Sequence, residues 1–434
     1  MMKSLYICLT DFQILNAINL QDKLFKDKKA DLFFVTNKEG NDQLAERLKK
    51  TNIFQKVFLF NNSRIKGLHY YVKSVTEGKN NDGFFSALSE SVKELFYKVN
   101  LRFRGMDYGI NKKIVTVNKM DFAEYDEVFC LDKRAIVVDC VKQVLKATDN
   151  KAKINLLDEG TSTYWRSILT DSFPINYIYL HAPLLANYYY EGWQDKIKKI
   201  PAIDLQDNKF RNLVNYVFNF NDEGKYAKNS SGMFVVKNKI IFFDQNWDPM
   251  PEYFDKINKF MKILLHNPYK KHKKESAFYD RKMEMFRLAA DNRNGNTIMV
   301  KLHPRSPLAF VEDYSKSECE IAPSVKIPWE VFMDNCIFKN NIWVTVSSTA
   351  LCTYKIAFKN TMDNIPMIFL YKIVYDGNKD FAEDNEFFEN LQKNYPESVF
   401  IPRSIEEFKS IYKKLVDDMS RNRILDNDEK TKNS

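Results

Sequence analysis

Asp158 and Glu159 end an apolar, strand-like run and are followed by Gly160. Two adjacent carboxylates at the end of a buried strand repel each other and lose hydration, so they are either solvated in a turn or part of a site that uses a carboxylate. Gly160 permits a turn with a positive φ, and the hydroxyl residues 161–163 can hydrogen-bond that turn. One carboxylate held there could act as a general base toward a hydroxyl group, although the triplet also fits an ordinary strand-to-helix turn.

A histidine in the second half of the chain has neighbours suited to phosphate. His303 lies in the sequence MVKLHPRSP (299–307), where Pro304 fixes the turn after an apolar run and Lys301 and Arg305 flank the imidazole. Cationic side chains around a strand end favour an anionic phosphate group. Because a single histidine is more often structural than catalytic, His303 is interpreted together with the motifs around it.

Two further strand-end motifs offer phosphate and ribose ligands. Ser347 and Ser348, in VTVSSTAL (344–351), begin a predicted helix, where hydroxyls and free N–H groups can hold a phosphate, but serine is also an ordinary N-cap. Glu330 follows Pro328 in VKIPWEVF (325–332), and its carboxylate can accept hydrogen bonds from two ribose hydroxyls. His303, Glu330 and the serine pair are separated by about one α/β step each, which predicts phosphate and ribose contacts along one rim.

Alternating apolar strands and amphipathic helices must position these motifs. Strand-like runs lie at 4–10, 30–36, 54–60, 126–131 and 153–158, and the pattern restarts at 239–245, 297–302, 341–346 and 366–371. Helical runs between them predict parallel sheets covered on both faces, and therefore an α/β fold with two Rossmann-like domains. We predict a front domain at 1–190 with a helical insertion at about 66–105, a linker at 191–235, a rear domain at 236–420 and a flexible tail at 421–434.

The composition excludes several classes of protein. An apolar share of 44% and a charged share of 28% are typical of a soluble globular chain, and 12 Gly and 13 Pro are too few for a linker-rich or disordered one. The six dispersed cysteines contain no C-x-x-C pair, which predicts reduced core residues and neither a disulfide framework nor a zinc site. Neither a membrane-spanning run nor a signal peptide is recognisable, so we expect a cytoplasmic location.

The positive charge is concentrated in two stretches. The formal net charge is +9, and the densest basic stretches are 98–113 and 266–282. Such stretches attract nucleic acid, anionic lipid headgroups or acidic sugars, and they equally fit a solvated helix face. Because no nucleic-acid-binding motif accompanies the charge, we expect no nucleic-acid partner. Peripheral contact with the anionic inner face of a membrane is an alternative use of the charge, and formation of a homo-oligomer is left open.

Several of these motifs, taken in their order, resemble those of a known family. DEG (158–160), KLHP (301–304) and SS (347–348) resemble motifs of the bacterial sialyltransferases that build lipooligosaccharide and capsule. The stretch LYICLTDFQILNA (5–17) is similar to the first strand and donor-side loop of that group, and EGTSTY (159–164) is similar to a stretch of its polysialyltransferase branch. The resemblance covers islands between residues 5 and 351 and implies a GT-B fold, in which two Rossmann-like domains face a central cleft.

The resemblance implies an inverting sialyltransferase that moves sialic acid from the donor CMP-sialic acid to a hydroxyl of a glycan, lipid-linked or free, without a metal or a resident cofactor. One carboxylate of Asp158 and Glu159 would deprotonate the acceptor, and His303 would stabilise or protonate the departing CMP. The residues that would bind the donor are Lys301, Pro304, Arg305, Pro328, Glu330, Ser347, Ser348 and Gln245, the last of which resembles a glutamine common in the family. The only D-x-D triplet, at 426–428, lies in the predicted tail, which is in keeping with a metal-free reaction.

Three alternatives stay open at the level of sequence. Asp248, in IIFFDQNWDPMPEYF (240–254), could be the base instead, which would leave Asp158 and Glu159 as a structural or acceptor-orienting pair. The donor could be CMP-Kdo or a UDP-hexose bound to the same scaffold. A non-enzymatic protein that docks on polyanions or membranes is the third alternative.

Overall fold

A computed structural model describes residues 2–36, 41–61, 120–131, 135–165, 174–189, 192–220, 227–247, 266–303, 309–322, 327–359, 364–375 and 382–432. The predicted insertion at 66–105, the basic stretch at 98–113 and the candidate site residues Asp248, Pro304 and Arg305 lie outside the described residues. Contacts divide the chain into two units. The first comprises Met1–Asp158, Thr170–Tyr179 and Met250–Lys274, and the second comprises Glu159–Leu169, Leu180–Pro249 and Glu275–Ser434.

This division differs from the predicted domain boundaries, because segments assigned to the front domain and the linker pack with the rear unit. Ile203–Asp204 pairs in parallel with Phe358–Lys359 as a two-stranded sheet. The helix Asn208–Phe218 packs against the helix Trp329–Asp334. The division also separates the acidic pair, since Asp158 ends a segment of the first unit and Glu159 begins a segment of the second.

The first sheet contains the five strands that the apolar runs of the front half predict and two unpredicted strands, at 177–180 and 197–199. Its members are β1 (Lys3–Cys8), β2 (Lys29–Thr36), β3 (Lys56–Asn61), β4 (Glu127–Cys130), β5 (Lys153–Leu157), β6 (Tyr177–Leu180) and β7 (Ile197–Lys199), in the spatial order β3-β2-β1-β4-β5-β6-β7. The pairs from β3 through β6 are all parallel. All six residues of β1 are buried, as expected of a central strand covered on both faces.

The second unit repeats this strand order. The strands that follow β7 along the chain are β8 (Ile203–Asp204), β9 (Phe234–Lys237), β10 (Lys239–Phe243), β11 (Thr297–Lys301), β12 (Glu320–Ile321), β13 (Cys336–Lys339), β14 (Ile342–Thr345), β15 (Phe358–Lys359), β16 (Met367–Phe369) and β17 (Val399–Phe400). The six-stranded sheet has the order β12-β11-β10-β14-β16-β17, with every pair parallel. Counted from β10, this is the 3-2-1-4-5-6 order of a Rossmann sheet, and the first sheet has the same order counted from β1. The α/β class with two Rossmann-like domains is therefore confirmed.

Helices follow most of the strands. They are α1 (Asp11–Lys23), α2 (Asn41–Lys50), α3 (Ala135–Ala147), α4 (Asn208–Phe218), α5 (His266–Asp291), α6 (Ala309–Ser315), α7 (Trp329–Asp334), α8 (Thr349–Ile356), α9 (Tyr371–Tyr375), α10 (Ala382–Asn394) and α11 (Ile405–Lys432). Thr10 caps α1 through a capping box with Gln13, whose side chain also donates to the Leu131 carbonyl at 3.1 Å. The first helix is thereby tied to the end of β4, the neighbour of β1.

The C-terminal segment differs from its prediction. Helix α11 continues to Lys432, so residues 421–432 are helical where the sequence predicts a flexible tail. No proline or glycine follows Pro402 to end a helix, and Arg421 and Asp418 form an ion pair of 2.6 Å along the helix surface. Among the described helices, none is long and apolar enough to cross a membrane. The six cysteines are free, and all but Cys319 are buried, so five of them are core residues, as predicted.

Candidate functional site

The candidate site lies at the carboxyl edge of the second sheet. Strand register aligns Phe243 of β10 with Lys301 of β11 on one side and with Thr345 of β14 on the other. Two residues beyond that row, Gln245, His303 and Ser347 leave the sheet at the same edge, and all three are partly exposed. Strand order reverses between β10 and β14, and open sheets of this kind bind ligands in the crevice at such a reversal. The sheet therefore gathers three residues that the sequence suggested separately.

A buried network of hydrogen bonds around Asp244 holds this edge of the sheet. The Asp244 carboxylate receives the Lys282 ammonium at 2.6 Å, and both side chains are fully buried. The same carboxylate accepts the Tyr314 hydroxyl at 2.5 Å and the His303 backbone N–H at 3.4 Å. Lys282 also donates to the Gln245 carbonyl at 2.9 Å. A buried ion pair is costly to break, so this network holds the two strand ends that carry Gln245 and His303.

The network also acts on the proton of Tyr314. Burial raises the pKa of Tyr314 well above its usual value, and the negative charge of Asp244 raises it further, so the phenol stays protonated and donates a hydrogen bond to the carboxylate. Tyr314 lies on α6 and Lys282 on α5. Neither residue was predicted from the sequence, because a tyrosine or a lysine on a helix gives no signal until the strand end beside it is known.

The serine pair lies immediately before α8, as the sequence predicts. Ser347 and Ser348 are half-buried, and the Ser348 backbone N–H donates to Thr345 Oγ1 at 3.0 Å. Ser348 occupies the N-cap position of α8, but its side chain makes no capping hydrogen bond with the described residues of that helix. The ordinary capping role that the sequence left open is therefore not what its hydroxyl does here. Ser347 Oγ lies 2.5 Å from the hydroxyl of Tyr375.

The two acids of the Asp158-Glu159 pair lie in different surroundings. Asp158 is buried; its backbone N–H donates to the Tyr179 carbonyl at 3.0 Å, and its own carbonyl accepts the Asn16 side chain at 2.8 Å. Glu159 is half-buried, and its backbone N–H donates to Thr163 Oγ1 at 2.9 Å. The hydroxyl residues after the triplet thus hold the turn, as predicted.

Gly160 brings this turn to the helix that follows the serine pair. It has φ of 119° and precedes a 3-10 turn at Thr161–Tyr164. A Cβ atom at this position would lie 3.1 Å from Thr349 Oγ1, in the first turn of α8. Only glycine permits so close an approach in this conformation. Within the second unit, the acidic motif and the serine motif therefore meet, although 188 residues separate Gly160 from Ser348 in the sequence.

The remaining predicted ligands are only partly accounted for. Glu330 is mostly buried in the first turn of α7, after Pro328, and this helix packs against α8. Its neighbour Trp329 packs edge-on against Phe243 at 5.3 Å between ring centroids. Lys301 is partly exposed, and its backbone carbonyl accepts the Asp244 N–H at 2.9 Å. A ribose contact by Glu330 and phosphate contacts by Lys301 stay predictions, as do the roles of Pro304, Arg305 and Asp248.

His, Cys, Asp and Glu are the side chains that most often bind metal ions in proteins. No three of them in the described part of the chain lie close enough together to hold an ion. A reaction that needs no metal stays a prediction.

Comparison with known proteins yields distant likenesses to solved structures. No protein-family model matches the sequence, and no curated protein matches it. An α/β-galactoside α-2,3-sialyltransferase from Photobacterium phosphoreum aligns with 92% of this chain and 98% of its own at 12% identity and a TM-score of 0.47. S. aureus MnaA, in a structure with UDP, aligns over 92% of each chain at 11% identity and a TM-score of 0.40.

A glycosyltransferase from Rickettsia africae aligns over 96% of this chain and 98% of its own at 9% identity and a TM-score of 0.33. At such identities and TM-scores the likenesses assign neither a substrate nor a reaction. The fold class rests on the two parallel sheets themselves, and the chemistry has to be argued from the residues at the sheet edge.

Proposed function

We propose that this protein is an inverting glycosyltransferase that moves sialic acid from CMP-sialic acid to a glycan hydroxyl. The observation that carries the proposal is the close approach of Gly160 to Thr349, whose Oγ1 would lie 3.1 Å from a Cβ atom at position 160. It joins a turn that contains a carboxylate to the half-buried serine pair at the carboxyl edge of the second sheet. His303 leaves the same edge from β11, two strands away from β14. A carboxylate can take the proton of the acceptor, and an imidazole and two hydroxyls can stabilise the charge on a departing phosphate, so these groups could support transfer from a nucleotide sugar without a metal.

In the proposed step, the acceptor oxygen forms a bond to the anomeric carbon of sialic acid while the bond from that carbon to the phosphate oxygen breaks. The acceptor proton passes to a carboxylate of Asp158 or Glu159, and the electron pair of the broken bond leaves on CMP. His303 donates a hydrogen bond or a proton to the departing phosphate. Stabilising charge where it develops is the largest contribution that such a site can make to the rate.

The donor side of the proposal uses the second sheet. Ser347 and Ser348 would donate hydrogen bonds to the phosphate, and Glu330 would accept hydrogen bonds from the ribose. The reversal of strand order between β10 and β14 supports a nucleotide at this place, because dinucleotides bind at the corresponding place of other Rossmann sheets. Lys301 and Arg305 would add positive charge, and Gln245 a neutral contact.

The experiment that tests the proposal combines isosteric variants with a donor assay. We expect His303→Ala and the double variant Asp158→Asn/Glu159→Gln each to lower sialyl transfer by about 10²–10⁴-fold, which is the usual contribution of a general acid or base. Asp417→Asn/Asp418→Asn, which neutralises an adjacent acid pair on α11, is the matched control and should transfer normally. The single variants then identify which acid is the base, and Asp248→Asn tests the alternative. Near-normal transfer by both site variants would refute the assignment.

The donor needs a separate experiment, because a Rossmann edge accommodates more than one nucleotide. In a panel of donor-hydrolysis assays, we expect the protein to release CMP from CMP-sialic acid. We expect it to release neither CMP from CMP-Kdo nor UDP from UDP-hexoses. Selective release from one of the other donors would retain a glycosyltransferase and replace the substrate.

The basic stretches carry a further part of the proposal, which is docking at an anionic membrane beside a lipid-linked acceptor. We expect the protein to sediment with liposomes that contain anionic lipid at low salt and to be released at high salt, because exposed charges are screened over about 10 Å at 0.1 M salt. Donor-independent binding without any hydrolysis would instead favour the non-enzymatic polyanion-binding alternative.

A further inference from the structure

Tyr375 forms a hydrogen bond with one of the proposed phosphate ligands. Its hydroxyl lies 2.5 Å from Ser347 Oγ, and either oxygen could be the donor. The contact follows from the sheet, because Thr345 of β14 lies beside Phe369 of β16. Ser347 follows the first of these strands, and Tyr375 ends the short helix α9 that follows the second. Neighbouring strand ends thus bring together two residues that are 28 positions apart.

The ring of Tyr375 is held by two other aromatic side chains. Its centroid lies 5.6 Å from that of Trp247 and 5.1 Å from that of Phe278, and Trp247 and Phe278 are 5.6 Å apart. Arg281 of α5 also donates to the Val374 carbonyl at 3.2 Å, which fixes the end of α9. Tyr375 is buried to all but 5% of its surface. The position of its hydroxyl is therefore set by packing and not by Ser347 alone.

The direction of this hydrogen bond decides what Ser347 can offer to a ligand. A serine hydroxyl has one proton, whereas phosphate oxygens only accept hydrogen bonds. If Ser347 donated to Tyr375, its lone pairs would face the phosphate and repel it. If Tyr375 donates to Ser347, the serine proton is available to the phosphate, and a chain of two hydrogen bonds strengthens each member.

We propose that Tyr375 is a positioning residue that donates a hydrogen bond to Ser347 Oγ and so orients the Ser347 hydroxyl as a donor to the phosphate of the nucleotide. This inference rests on the proposed function, of which it specifies one contact. A merely structural role for the Tyr375 hydroxyl, as a buried polar group that needs a partner, would affect stability and leave phosphate affinity unchanged.

The test measures the affinity of the full chain for CMP, UDP and cytidine by calorimetry. Tyr375→Phe retains the ring packing and removes the hydroxyl. We expect this variant and Ser347→Ala each to weaken CMP binding by about tenfold, in line with the loss of a hydrogen bond to a charged group, and to leave cytidine binding within about twofold. The double variant should lose little more than either single variant, because Tyr375 acts on the phosphate only through the orientation of Ser347.

Tyr371→Phe is the matched control. Tyr371 begins the same helix, and its hydroxyl donates to Asn385 at 2.9 Å, away from the serine pair. We expect this variant to bind CMP as the unchanged protein does, and melting curves establish that all four variants fold.

Each other outcome overturns a defined part of the argument. Normal CMP binding by Tyr375→Phe beside weakened binding by Ser347→Ala, or an equal loss of CMP and cytidine affinity, overturns the role of Tyr375 and leaves the proposed function standing. The role of Tyr375 is likewise overturned if the loss of CMP affinity in the double variant equals the product of the losses in the two single variants. Binding of UDP but not CMP, with the same pattern of losses, overturns the donor and keeps the role of Tyr375. An absence of binding to either nucleotide overturns both.

Discussion

One buried carboxyl group in the second unit has no ion-pair partner among the residues that the structure describes, which the sequence does not reveal. Asp334, at the end of α7, is almost completely buried, and neither of its carboxylate oxygens has a hydrogen-bond partner within the described residues. Burial raises the pKa of Asp334 to about 7, which Arg211 partly opposes and Asp207 and Asp204 reinforce. The guanidinium of Arg211 donates to the backbone carbonyl of Asp334 at 2.8 Å instead of to its carboxylate. This carboxyl group is therefore a source of pH-dependent stability.

Asp334 is expected to make the protein less stable as the pH rises from about 4 to about 7. The pKa of Asp334 is about 7 in the folded protein, whereas the ordinary value of 3.8 applies to the unfolded chain. As the pH rises, the unfolded chain therefore releases this proton at a lower pH than the folded protein does. Below pH 4 both states keep the proton and no penalty exists; above pH 7 the folded state must hold a buried charge, at a cost of roughly 4 kcal/mol by the usual 1.36 kcal/mol for each unit of pKa. Asp334→Asn should remove this dependence and stabilise the protein at pH 8.

Urea unfolding at pH 4.5 and pH 8 measures this effect. The exposed Asp195→Asn is the control, and it should leave the difference between the two pH values unchanged. If the stability of Asp334→Asn depended on pH as strongly as that of the unchanged protein, the carboxyl group of Asp334 would not be the source of the pH dependence.

Gly160 is expected to tolerate no side chain. At φ of 119° and ψ of −157° an L-residue is strained, and a Cβ would press on Thr349. Gly160→Ala should lower the free energy of unfolding by about 1–3 kcal/mol and reduce transfer, because the acidic turn has to move away from α8.

Gly232→Ala is the matched comparison, since that glycine also has a positive φ but open space around the new Cβ. It should cost stability without affecting transfer. Equal transfer by both glycine variants would contradict a role for the contact at Gly160.

At the scale of elements, two ribbons of the second unit repeat each other. β9 turns through Asn238 into β10, and β13 turns through Asn340 into β14. The ribbons pair with the same offset of 102 residues along both arms, as in Phe234 with Cys336 and Ile240 with Ile342. Asn238 and Asn340 both have positive φ, and the Asn340 side chain donates to Asn238 Oδ1 at 2.7 Å. These paired turns set the register that aligns the strand ends at the candidate site.

Asn340 is expected to stabilise this register in two ways. Its φ of 50° suits Asn or Gly, and its side chain also donates to the Met419 carbonyl at 2.8 Å. Asn340→Gly keeps the backbone and loses the hydrogen bonds, at about 1 kcal/mol. Asn340→Ala should cost about 1–2 kcal/mol more, because alanine is unfavourable in the left-handed region. Denaturant midpoints compare the two variants, and an alanine variant as stable as the glycine variant would contradict the backbone argument.

At the scale of the whole molecule, all five tryptophans belong to the second unit. They are Trp165, Trp193, Trp247, Trp329 and Trp343. Tryptophan fluorescence therefore reports the unfolding of the unit that contains the proposed donor site, while circular dichroism reports both units. This distribution provides a test of where a nucleotide binds.

CMP is expected to stabilise the transition that tryptophan fluorescence reports. A ligand that binds only the folded state at 100 times its dissociation constant adds about 2.7 kcal/mol to the free energy of unfolding. The shift in the denaturation midpoint should disappear in His303→Ala, which is a partly exposed residue whose side chain would contact the phosphate. A shift that appears in circular dichroism but not in fluorescence would place the nucleotide on the first unit.

Sequence patterns alone predicted β1 to β5 of the first sheet and β10, β11, β14 and β16 of the second, because buried parallel strands are continuous apolar runs whose period differs from that of the helices between them. They did not predict the short strands β6, β7, β12 and β17. They also indicated that Asp158, Glu159, His303 and the serine pair end such strands. Tertiary structure alone decided which strand ends are neighbours, because the order of strands in a sheet depends on crossovers between distant segments. The contact of Gly160 with Thr349, the Asp244 network and the hydroxyl of Tyr375 beside Ser347 depend on this order. These contacts form between residues that are far apart in the sequence, so no local pattern of residues predicts them.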